Sequence, residues 1–86
     1  MPFMYSLLKS ADLSEHGNAL AENPAEALAQ IRAYRLANKA ADVPFALSDN
    51  PSEYFLQQRN AVPSSHGNGW TNDPSGPVEV LFVSAP

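Results

Sequence analysis

The sequence predicts an α+β fold: a small antiparallel sheet of three or four strands, one long helix packed on a face, and a second, shorter helix. Three observations carry this expectation. Aromatic and β-branched residues concentrate near both ends, in Phe3 to Lys9 and Val78 to Val83. An alanine-rich stretch follows Asn23-Pro24 without internal proline or glycine. Eight prolines divide the rest into short pieces.

Residues 3 to 9 read as a strand that is apolar on both faces, Phe3, Tyr5 and Leu7 alternating with Met4, Ser6 and Leu8. The polar segment Ser10 to Asn18 ends in His16-Gly17-Asn18, a turn signal, since glycine accepts positive φ and asparagine tolerates it. Ala19 to Glu22 then returns beside the first strand. Asn23 caps a helix, Pro24 fills its first position and Glu26 stands third, a variant of the capping box. The helix runs to about Ala41 and ends before Pro44, which disfavours helical geometry at Val43. At 100° per residue, Ala27, Leu28, Ile31, Tyr34 and Asn38 share the side that faces the sheet. Ala25, Ala29, Ala33, Leu36, Ala37 and Ala40 form a smooth opposite side.

Val43 to Leu47 begins a strand, with Pro44 suited to an edge. Ser48-Asp49-Asn50-Pro51-Ser52-Glu53 repeats the helix-start grammar, favouring a short helix over 51–60, with a hairpin through Asp49 to Ser52 as the competitor. Ala61 to Pro77, rich in proline, glycine, serine and asparagine, reads as one long loop. Val78 to Val83 closes as a strand of high β propensity. Strand character is strongest at the ends, so the two terminal strands are expected to pair near the sheet centre.

Length and composition bound the rest. A chain of 86 residues fits a single small domain, 1–86. Folding such a chain removes roughly 60–65% of its extended surface, enough for a modest core and little buried pocket. Without cysteine there is no disulfide framework, thiolate zinc site, thiol nucleophile or redox pair. Five Lys and Arg against nine Asp and Glu argue against direct nucleic-acid binding, which rests on dense positive charge. The first fifteen residues hold one lysine, after a short apolar stretch, so the chain reads as cytoplasmic, without a secretory signal or membrane span.

Two internal echoes stand out. Ala21 to Arg32 aligns with Ser48 to Arg59 through shared Asn, Pro, Glu, Gln and Arg, which convergent helix-start chemistry accounts for. Ser14, His16, Gly17, Asn18 and Pro24 recur as Ser64, His66, Gly67, Asn68 and Pro74, placing both histidines in His-Gly-Asn turns. If the turns met, His16 and His66 could share a metal or an anion. A stable site wants three or four ligands, and Asp12, Glu15 and Asp73 show no ligand spacing. No metal and no cofactor are therefore expected.

Other chemistry is thin. Ser64 and Ser65 precede His66, but no glycine-flanked nucleophile elbow is present. Glu22 and Glu26 suit the positive end of a helix. Arg32, Arg35 and Lys39 lie within about 60° on the long helix, the one basic stripe, where the helix dipole favours cations. Lys39 can pair with Asp42. Trp70 either folds back over the core or projects as an interface anchor, and Tyr54 and Phe55 pose the same choice.

The expected function is a non-enzymatic protein-binding module, with Trp70, Arg32, Arg35, Lys39, Tyr54 and His66 as candidate contacts. A concrete form is a small phage-encoded inhibitor occupying the surface of a host nucleic-acid-handling protein. One alternative is a structural subunit forming a homo-oligomer through the alanine face or an edge strand. Another is a metal-binding or hydrolytic protein using His16 and His66. The short strand followed by Asn-Pro-Ala-Glu-Ala-Leu resembles many small helix-on-sheet modules, antitoxin-type domains among them, over a dozen residues.

Overall fold

The structure, a computed structural model, describes residues 2–85. Its elements are β1 (Phe3–Lys9), β2 (Glu15–Ala21), α1 (Pro24–Ala37), β3 (Ala46–Leu47), β4 (Tyr54–Pro63), β5 (Trp70–Asn72) and β6 (Val78–Ser84). The strands pair antiparallel in the order β2-β1-β4-β6-β3, with β5 on β4. The sheet curls into a half-barrel that holds the helix on its inner face; 43% of the described residues are strand and 17% helix. This overturns the expected α+β arrangement of a three- or four-stranded sheet with two helices.

The missing second helix explains most of the difference. Residues predicted as a helix over 51–60 instead form the first part of β4, the central strand, bonded to β1 on one side and β6 on the other. As a strand, the segment sets Leu56 between Leu7 and Leu81, and Leu56 has no exposed surface. Burying a leucine contributes about 1.5–3 kcal/mol, and two complete ladders satisfy the backbone as well. A helix cap contributes about 1 kcal/mol. The cap residues still work locally, in a turn where the Asn50 N–H donates to Ser48 Oγ. Because β4 fills the centre, β1 and β6 do not pair with each other, contrary to expectation.

The predicted loop over 61–77 contains two strand segments, 61–63 and 70–72. β4 runs on to Pro63 and turns back through β5, with Pro63 opposite Trp70 and the Ser64 N–H donating to the Gly69 carbonyl. The ladder breaks after Asp73, bonded to Asn60, and resumes at Val78, opposite Arg59. The residues between form a turn tied by the Gly76 and Ser75 N–H groups donating to Asp73. Scattered prolines and glycines thus mark two tight turns in one long hairpin.

The helix starts as predicted, with Asn23 Oδ1 accepting from the Glu26 N–H and Pro24 in the first turn. It ends at Ala37, earlier than the expected Ala41. Lys39 takes a left-handed conformation (φ 61°), the Lys39 N–H donates to the Leu36 carbonyl, and the Ala40 N–H donates to the Arg35 carbonyl. That is the Schellman pattern, with lysine where glycine usually sits.

The predicted turn at His16-Gly17-Asn18 lies inside β2, whose pairing with β1 shifts register so that His16 is the extra residue. Gly17 is needed for packing: a Cβ there would lie 2.5 Å from Ile31 Cγ2. The helix crosses β2 at that point and reaches β3 at the other end of the sheet. Beneath it lie Tyr5, Leu7, Ala19, Ala21, Leu56 and Val83, closed from above by Ala27, Leu28 and Ile31. Tyr34, assigned by periodicity to the buried side, is exposed, lying beside Gly17 and Asn18 at the β2 edge rather than over the core.

Candidate functional site

Alternation along paired strands sorts the sheet into two faces. The inner face carries an apolar core under the helix and a polar band that runs from the core residue Tyr5 toward the β6 edge. In the polar band Tyr5, Gln58 and Glu79 stand in register across β1, β4 and β6. Tyr5 Oη donates to Gln58 Oε1 at 2.7 Å, and Gln58 Nε2 donates to Glu79 Oε2 at 3.4 Å. Burial pushes the Tyr5 phenol above its ordinary range, and the negative charges of Glu79, Glu22 and Glu26 add to the shift.

The outer face has no helix. Leu20, Met4, Arg59 and Val78 form one row across β2, β1, β4 and β6, Asn18, Ser6, Gln57 and Val80 the next, and Glu15, Leu8, Phe55 and Phe82 a third, so the face is polar toward β2 and apolar along β6. Val78, Val80 and Phe82 are 42%, 53% and 37% exposed; half-buried Phe55 lies opposite Phe82, and half-buried Met4, Leu8 and Leu20 stand on β1 and β2 farther across the same face. Sheet faces of this composition are normally covered, and contiguous exposed apolar surface marks an interaction site.

The same strand offers an open edge. β3 covers only the end of β6, pairing Leu47 with Val83 and Ala46 with Ser84. The Ser48 N–H donates to the Phe82 carbonyl at 2.9 Å, so the backbone groups of even-numbered β6 residues point away from β4. At Val78 and Val80 those groups therefore face outward, past the end of β3.

A second concavity is an open apolar groove of about 530 Å³ between α1 and β3, lined by Leu28, Ala29, Ala33, Leu36, Phe45 and Leu47 among others. The alanine side of the helix forms one wall.

The residues singled out by sequence are dispersed. Arg32 forks onto Asp42, Nε to Oδ1 at 2.6 Å and Nη2 to Oδ2 at 2.8 Å, so the aspartate expected for Lys39 is taken by arginine. The ion pair and its hydrogen bonds hold the Asp42 carboxyl below its usual range. Arg35 turns toward the sheet: Nη1 donates to the His16 carbonyl, the guanidinium lies 5.7 Å from the Phe45 ring centre, and its buried Nε has no partner. Lys39 belongs to the helix terminus. These three cations therefore form no continuous stripe.

Tyr54 is half-buried between the His16 and Phe45 rings, at 5.4 Å and 5.2 Å. Trp70 stands exposed opposite Pro63, outside the core cluster. His66 is exposed at the hairpin tip, away from His16 on β2, and among the described residues no group of three or more His, Asp or Glu could hold a metal. Ser14 Oγ donates to Asp12 Oδ1 at 2.7 Å and lies 3.0 Å from His16 Nε2. With its only proton on Asp12, that hydroxyl accepts from the imidazole, the reverse of what nucleophile activation requires.

Sequence reasoning missed the outer face. The signal was present in the alternation of Val78, Val80 and Phe82 with Glu79, Leu81 and Val83, but both sets are apolar enough to read as core. Comparison with known proteins finds no matching family model, curated relative or solved structure.

Proposed function

We propose that this protein is a non-enzymatic protein-binding module whose contact surface is the outer face of the sheet, centred on β6. The observation that carries the reading is the exposure of Val78, Val80 and Phe82 on one helix-free face, with half-buried Phe55 opposite Phe82 and Leu8 next to it in that row. Val78, Val80 and Phe82 are 42%, 53% and 37% exposed, so a partner seated over all three gains about 2–4 kcal/mol, and further contacts on the same face must supply the rest of what association costs. Arg59, in the row of Val78, gives the patch one polar anchor of the kind enriched at interface centres.

The test is capture of a stoichiometric partner by the wild-type chain and by Val80→Lys and Phe82→Ser variants. Circular dichroism checks that the variants remain folded. The reading expects both to lose the partner, while Glu53→Gln, outside the patch, keeps it. Equal capture by all four proteins removes the outer face from consideration.

A further inference from the structure

We infer that the open edge of β6 accepts an extended peptide segment of the partner as an added strand, and that this segment alternates apolar with basic side chains. The inference rests on the protein-binding reading above and specifies what the partner presents.

The backbone supplies the first argument. Val78 and Val80 direct their N–H and C=O groups outward where β3 has already ended, four groups that only another extended chain can satisfy in regular geometry. The window is short. Phe82 is engaged by Ser48 at one end, and at the other the strand begins after Pro77, which has no N–H to offer. The devices that usually blunt an edge, a lysine or proline within the strand, are absent from Val78 to Ser84.

The side chains supply the second. A residue added opposite Val78 or Val80 points to the outer face, beside exposed valines and the cation of Arg59, which favours an apolar side chain and disfavours a basic one. A residue added opposite Glu79 points to the inner face, where Glu79 receives only a long hydrogen bond from Gln58. A lysine or arginine there meets negative charge, and an acidic side chain is repelled. The preference also disfavours a second copy of this chain: antiparallel self-pairing centred on β6 would set Glu79 against Glu79, and each copy carries a net charge of -4.

The experiment uses the full chain and the synthetic peptide acetyl-Lys-Val-Lys-Val-Lys-amide, with amide hydrogen exchange read by NMR at low salt. Expected is slowed exchange at the Val78 and Val80 N–H groups, with Leu81 and Glu79, bonded within the sheet, unchanged. The Glu-Val-Glu-Val-Glu counterpart binds at least about fivefold more weakly, since one favourable charge pair becomes an unfavourable one. Methylating alternate peptide nitrogens removes the effect without touching the protein. Val80→Pro removes it as well, since that N–H is not part of the β4 ladder. No slowing at either valine, or equal binding of the acidic peptide, overturns the inference. So does protection of both amides in the free protein together with a dimer in sedimentation, which would give the edge to a second copy. If Val80→Pro keeps the captured partner while Phe82→Ser loses it, the outer face stands and strand addition falls.

Discussion

Replacing Gly17 by alanine tests the closest helix–sheet contact in the fold. The new methyl would lie 2.5 Å from Ile31 Cγ2, against an ordinary carbon–carbon separation of about 3.5–4.0 Å. The helix must therefore lift by about 1 Å, at the residue that anchors it, since Ile31 is 1% exposed. Overpacking of this kind costs about 1–3 kcal/mol. Gly17 also sits at φ 156°, where a side chain adds about 1–2 kcal/mol of backbone strain. The sum, about 2–5 kcal/mol, is a large share of what a small domain has available. Urea denaturation followed by circular dichroism measures it directly, and the thermal midpoint should fall by at least about 10 °C. A double-mutant cycle with Ile31→Ala separates the parts: with the Ile31 methyl gone, only the backbone cost at position 17 remains, so the two changes couple by about 1–3 kcal/mol. A cost below about 0.5 kcal/mol, or the same cost in both backgrounds, would refute the reasoning.

Lys39→Gly should stabilise the protein by about 1 kcal/mol, by relieving the left-handed residue that closes the helix, and urea titration checks it. The folded state holds the Asp42 carboxyl below its ordinary value of 3.8, so its contribution is present above that pH and is lost as acid protonates it; Asp42→Asn should remove this part of the acid dependence of unfolding. Tyr5 has the opposite sign: its phenol is raised above 10.0, so the stability linked to it is complete below pH 10.0 and disappears as pH climbs through the raised value. Ultraviolet titration of the phenolate should show Glu79→Gln bringing that ionisation down, and no movement would detach Glu79 from the polar band.

The two Asn-Pro segments show how much of the fold local chemistry could reveal. Asn23-Pro24 and Asn50-Pro51 carry the same starting signal, yet the first begins a helix and the second a loop leading into a strand. What separates them is the company of the residues that follow: Leu28 and Ile31 are four and seven positions past Pro24 on one helical face, while Tyr54 and Leu56 fit an inner face by alternation. Residues 3–9 and the strand beginning at Val78 could be read directly because their β propensity needs no partner to be visible. The candidate site was hidden for a related reason. In β6 both alternating sets are apolar except Glu79 and the last residue, Ser84, and nothing local says which set the helix will cover.

The helix start, the two strands nearest the chain ends, the absence of sulfur chemistry and the acidic balance could all be read from neighbouring residues or from composition. The assembled sheet and helix set the rest: β4 takes the centre, Gly17 lies beneath Ile31, the basic residues separate, and Val78 and Val80 face outward at an open edge. Each of these depends on register between segments far apart in the chain. A one-residue change of register exchanges the two faces of a strand, and the energy that fixes it comes from the whole sheet and the helix it holds.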